Sequence, residues 1–64
     1  MTVREAIKQR ETDSYIVVTF SFRYGEWIGH ELFNNDKHAP FPHGLNDETV
    51  WSVNTFDDVT VIEI

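Results

Sequence analysis

The residues best suited to bind a metal or move a proton are His38 and His43 in the run "HAPFPH", with Asp36 and Asp47 close by in the chain. Imidazole nitrogen and carboxylate oxygen suit zinc or a harder divalent ion. The run is extended and stiffened by Pro40 and Pro42, and no second ligand pair stands at a recurring interval. It therefore reads as an ordered connection with solvent-facing histidines, pinned by Phe41, and no metal site is assigned. "GHEL", residues 29–32, begins like the H-E-x-x-H zinc helix, but Asn34 stands where the second histidine is required and the segment has the pattern of a strand. His30 is expected to be a strand histidine with a backbone or water partner. The adjacent acids Asp47-Glu48 and Asp57-Asp58 fall in turns, where solvation leaves little to shift their pKa values for acid-base work. Cysteine is absent, and three glycines form no phosphate-cradling loop. The chain is expected to be no enzyme and to need no cofactor.

Elements must position whatever remains. Thr2-Val3-Arg4-Glu5 has the form of a capping box, so a helix starts there, with Val3, Ala6 and Ile7 on one side. About nine residues cannot hold a helix in water, so this stripe must rest on a sheet. "SYIVVTFSFRY" alternates, with Ile16, Val18, Phe20 and Phe22 on one face and Tyr15, Val17, Thr19, Ser21 and Arg23 on the other. A three-residue loop Arg23-Tyr24-Gly25, with glycine in the left-handed position, sets Ile28 opposite Phe20, His30 opposite Val18 and Leu32 opposite Ile16. That face is taken as the one the helix covers. "VWSVNTF" and "VTVIEI" flank Asp57-Asp58 as a second hairpin, pairing Val53 with Ile62 and Thr55 with Thr60, with Trp51 facing Ile64. The fold class expected is α+β: a short N-terminal helix packed on a four-stranded antiparallel sheet made of two β-hairpins, forming one domain over residues 1–64. Tyr15, Val17, Trp27, Phe56, Val59 and Val61 would then lie on the far face. That face could be closed by the Phe33–Glu48 connection with Phe41 as a plug, by a second copy, or by a partner.

Charge and composition narrow the function. The chain has 64 residues with 41 % hydrophobic and 14 % aromatic, enough aromatic bulk to fill a small core. "MTVREAIKQRE" lacks the apolar run of a signal peptide, and no segment approaches the ~20 apolar residues of a membrane span. The expected location is the cytoplasm. The formal charge of −6 is uneven: Arg4, Lys8, Arg10 and Arg23 outweigh Glu5, Glu11 and Asp13 in residues 1–24, while Lys37 alone opposes all the acids of residues 25–64. Such a surface repels phosphates and anionic lipid, so direct nucleic-acid or membrane binding is not expected, and a basic partner is favoured.

The order "TVREAI", a hairpin around "RYGEW", then "ETVWSVNTFDDVTVIEI" resembles small phage- and prophage-encoded accessory proteins over most of the chain. Some acidic members of that group are anti-restriction or anti-CRISPR inhibitors that present carboxylates where a nuclease complex expects phosphates. The resemblance implies such an inhibitor of a host nucleic-acid-binding protein or nuclease complex with a basic groove. Glu26, Glu31, Asp36, Asp47, Glu48, Asp57 and Asp58 are the candidate contacts on charge, with Trp27 beside them. The alternative is a homo-oligomeric phage structural or assembly protein, such as a homodimer through the uncovered sheet face.

Overall fold

A computed structural model describes residues 1–64. Helix α1 spans Val3–Gln9 and the strands are β1 (Ser14–Arg23), β2 (Glu26–Asn34), β3 (Ser52–Phe56) and β4 (Val59–Glu63), with a 3-10 turn at Leu45–Asp47. The class is α+β, as the periodicities predict. The sheet order is β2-β1-β4-β3, and β1 pairs with β4 in parallel, so the sheet is mixed and not purely antiparallel. The reason lies in the connection. β2 and β3 sit at opposite edges, and residues 35–51 carry the chain across the sheet from one to the other. A parallel pair requires a crossover of about a dozen residues or more, and this connection is long enough.

The capping box of α1 forms as its sequence predicts. Glu5 N–H donates to Thr2 Oγ1 at 3.3 Å, and Thr2 N–H donates to Glu5 Oε1 at 2.9 Å. The bond from the Thr2 backbone, and after it one donated by the Thr2 hydroxyl to Glu5 Oε1 at 3.1 Å, hold the Glu5 carboxyl below its ordinary value of 4.5. Thr2→Ala is expected to destabilise the fold by about 1 kcal/mol at neutral pH, read from thermal unfolding. Because the folded-state pKa of Glu5 is depressed, its contribution is present above the unfolded value and is lost as pH falls through the folded value. The gap in Tm between wild type and Thr2→Ala should therefore narrow as pH drops below 4.5.

Both hairpins turn on two residues. At the first, Tyr24 and Gly25 have φ of 53° and 81°, positive at both central positions as in a type I′ turn. The expected three-residue loop is thus corrected. Phe22 pairs with Trp27, Phe20 with Gly29 and Val18 with Glu31, and neither Ile28, His30 nor Leu32 holds the position expected of it. The second hairpin turns at Asp57-Asp58 as expected, with Val53↔Ile62 and Thr55↔Thr60 in register. The ladder ends at Ser52↔Glu63, and the Trp51 N–H donates to the Glu63 carbonyl. Asp57 and Asp58 sit at φ of 48° and 64°, a left-handed region that glycine and asparagine occupy more cheaply. Replacing the pair by Asn-Gly should raise stability by about 1 kcal/mol, or roughly 4–8 °C in Tm for a domain of this size, by circular dichroism.

The register also decides which face is inside. Val3, Ala6, Val17, Leu45 and Ile62 form the buried cluster, with Ile7, Tyr15, Phe33, Phe41, Val50 and Ile64 packed around it. The helix and the crossover connection therefore lie on the same face, the one bearing Tyr15 and Val17. This inverts the expected assignment, in which Ile16, Val18, Phe20 and Phe22 met the helix. A β-bulge in β2 contributes: the register shifts between Val17 and Val18, which sets Phe33 opposite Val17. Phe33 then meets Tyr15 at 5.7 Å and Phe41 at 4.8 Å between ring centroids. Phe41 is an anchor as expected, but on the helix side, so the connection leaves the other face uncovered. Arg10 closes the rim, its guanidinium 4.7 Å from the Tyr15 ring centroid. The buried Thr60 hydroxyl is satisfied by Thr12 at 2.6 Å.

Candidate functional site

The uncovered face is the larger candidate. Residues paired across strands point to the same side, so Ile16, Val18, Phe20 and Phe22 share this face with Trp27, Val61, Glu63 and Phe56. The parallel ladder stops at Val18↔Glu63, and Ile64 N–H donates to the Val18 carbonyl. Beyond that point β1 and β2 continue as a two-stranded ribbon with no third strand beside them. Such a ribbon is marginal alone. Phe22 and Trp27 meet at 5.3 Å across it, although Trp27 remains 71 % exposed. Gly29 allows the Phe20 ring to lie flat against the strand, since a Cβ there would stand 2.7 Å from Phe20 Cε1. Trp51, 80 % exposed, rises just before β3 and completes a cleft with Phe20, Trp27, Glu63 and Ile64.

A second feature is acidic. Parallel pairing sets Ser14 beside Val59, which places Glu11 and Asp13 in one shallow polar groove with Asp58. Asp36 joins this end of the sheet, its Oδ1 accepting from Ser14 Oγ at 3.2 Å. The two ion pairs of the chain lie elsewhere, Arg4 with Asp47 at 3.8 Å and Lys37 with Glu31. Glu11, Asp13, Asp36, Asp57 and Asp58 thus lack an internal cation.

The residues predicted on charge do not form one patch. Asp57, Asp58 and Asp36 gather at the end just described. Asp47 faces Arg4 beside the helix, and the neighbouring Glu48 accepts the Val3 N–H at its carbonyl. Glu31 lies in β2, where hydrogen bonds from Lys37 and then Asn34 hold its carboxyl below the ordinary value. Glu26 pairs with Arg23 at the ribbon tip and points to the opposite side from Trp27. Sequence reasoning missed Glu11 and Asp13, because only the parallel β1–β4 pair brings them to Asp58. It also missed Phe20 and Phe22 as exposed residues, and Trp51 and Glu63 as site residues.

The histidines stay apart. His38 and His43 are both exposed in the connection, and no three His, Asp or Glu side chains converge as a metal-ligand set. His30 lies in strand β2 as expected, and its Nε2 stands 3.3 Å from Ser21 Oγ. No helix is long and apolar enough to cross a membrane. Comparison with protein families, with curated proteins and with solved structures gives no match, and the resemblance to phage accessory proteins stands on the residue pattern alone.

Proposed function

We propose that this protein acts without catalysis, as a small acidic phage-type inhibitor that docks on the basic groove of a host nucleic-acid-processing protein. The observation that carries this reading is the sheet face left bare while helix and connection both lie on the other side, with Phe20, Phe22, Trp27 and Trp51 exposed. Tryptophan is among the residues from which interfaces draw most of their affinity, and phenylalanine is enriched at interface cores. The carboxylates at the Asp57-Asp58 end indicate the kind of partner. Free of internal cations, they attract lysine and arginine and steer encounter with a basic groove.

Immobilised protein exposed to host lysate should retain a nuclease or another nucleic-acid-binding protein at low salt and release it to free duplex DNA. Reversal of charge by Asp57→Lys with Asp58→Lys should weaken retention by roughly tenfold. Retention that ignores both salt and the double reversal would remove the inhibitor reading.

A second reading, self-assembly through the same face, is favoured by its low charge. Glu31 is neutralised by Lys37 there, leaving Glu63 as its remaining carboxylate. Sedimentation separates the two readings, since an assembly held by apolar contact persists at high salt and the inhibitor stays monomeric.

A further inference from the structure

The cleft between Trp27 and Trp51 has a volume of about 570 Å³ and is lined by Phe20, Trp27, Trp51, Glu63 and Ile64. We propose that it receives the guanidinium group of an arginine side chain presented by the docked partner, an inference that rests on the docking reading above. Three aromatic rings and one carboxylate are the composition of a cation site. The negative face of an indole attracts a cation within about 6 Å of the ring, and arginine stacks on such faces while its fork engages a carboxylate. A purely apolar occupant would take water from Glu63 Oε2 and offer it no hydrogen bond in return.

Glu63 is held ready for this role. Its Oε1 accepts a bond from Ser52 Oγ at 3.3 Å, and Oε2 has no hydrogen-bond partner within the chain. No cation of the chain lines the cleft: Arg23 stands opposite Glu26 in the strand register, on the other face of the ribbon from Trp27, and Arg10 lies over Tyr15. Trp51 stacks on no other ring, so its face is free. Arginine is preferred to lysine because a planar, weakly hydrated guanidinium loses less on leaving water than a compact ammonium. The chain already uses this pairing once, between Arg10 and Tyr15.

The two tryptophans provide one indole N–H signal each in a 15N-labelled sample. Titration with acetyl-Gly-Arg-Gly-amide is expected to move both signals saturably. The same peptide with neutral citrulline or with lysine should bind at least about fivefold more weakly. Glu63→Gln should weaken the arginine peptide by about fivefold to tenfold, and Trp51→Ala should abolish saturation, both with an otherwise unchanged amide spectrum. Equal binding of the citrulline peptide, indifference to Glu63→Gln, or a preference for lysine or trimethyl-lysine would overturn the proposal. If the lysate partner is retained and Trp51→Ala releases it while the arginine peptide does not bind, docking stands and the arginine assignment falls. If the peptide binds and no partner is retained, the arginine site stands and the docking reading falls.

Discussion

Ile62→Ala is expected to leave most of the chain unfolded at 25 °C. Ile62 is fully buried on central strand β4, paired with Val17 on one side and Val53 on the other, in the cluster that also holds Val3, Ala6 and Leu45. Deleting a buried isoleucine side chain to alanine costs about 2–5 kcal/mol, and a domain this small rarely holds more than about 3–5 kcal/mol in total. The contrast with the other face makes the test specific. Phe22→Ala removes a larger side chain, yet that ring is already 59 % exposed, so its cost should stay near 1 kcal/mol. Urea unfolding followed by circular dichroism gives both values, and Ile62→Val, costing about 0.5–1.5 kcal/mol, keeps the core measurement possible if alanine does not fold. A larger loss from Phe22→Ala than from Ile62→Val, by more than about 1 kcal/mol, would mean that the helix covers the opposite face.

Trp27→Ala is expected to have the largest effect on association. Its ring stands on the ribbon that extends past β4, and 71 % of it faces solvent, so the folded state loses little beyond its contact with Phe22. In a docked complex the same ring would be desolvated, and truncating an anchor of that type costs about 2–4 kcal/mol, or roughly 30-fold to 1,000-fold in Kd. Calorimetry against the retained partner, alongside a thermal melt of the variant alone, separates lost docking from lost folding. Phe56→Ala serves as the comparison, because Phe56 is exposed on the same face but beside the Asp57-Asp58 turn. A footprint centred on the ribbon and cleft predicts a much smaller effect there. Equal losses at both positions would place the contact across the whole face. No loss at Trp27 with intact binding would move the interface to the acidic end or the helix side. Under the self-assembly reading the same substitution should dissolve the oligomer, which sedimentation detects.

The acidic residues show why charge counted along a chain is a poor map of a surface. Asp47 and Glu48 are neighbours of Asp57 and Asp58 in composition, but the 3-10 turn holds them next to Arg4 and the start of the helix. Glu26 and Trp27 are adjacent in sequence and point to opposite sides of a strand. Conversely, Asp13 and Asp58 are far apart in the chain and share a groove because β1 and β4 begin side by side. An exposed pair such as Arg4 with Asp47 contributes little to stability, so these placements follow from the backbone and not from ionic attraction.

What the sequence determined by itself is local. The capping box at Thr2, the alternation of β1, the hairpin at Asp57-Asp58 and the anchoring of Phe41 all depend on residues near one another or on turn chemistry, and each is present. Only the tertiary structure decided the rest. The alternation of β1 favours the side of Ile16, Val18, Phe20 and Phe22 as the inside, yet the side of Tyr15 and Val17 packs in the core, and a change of one residue in the first turn moved Phe20 from Ile28 to Gly29. The crossover of residues 35–51 then selected a parallel β1–β4 pair and brought helix and connection to the Val17 side, where Val3, Ala6 and Leu45 pack over Ile62. Phe20, Phe22 and Trp27 were left bare because the ribbon that carries them reaches past the end of β4. That is a matter of how the strands are staggered in space, which no spacing within the chain encodes.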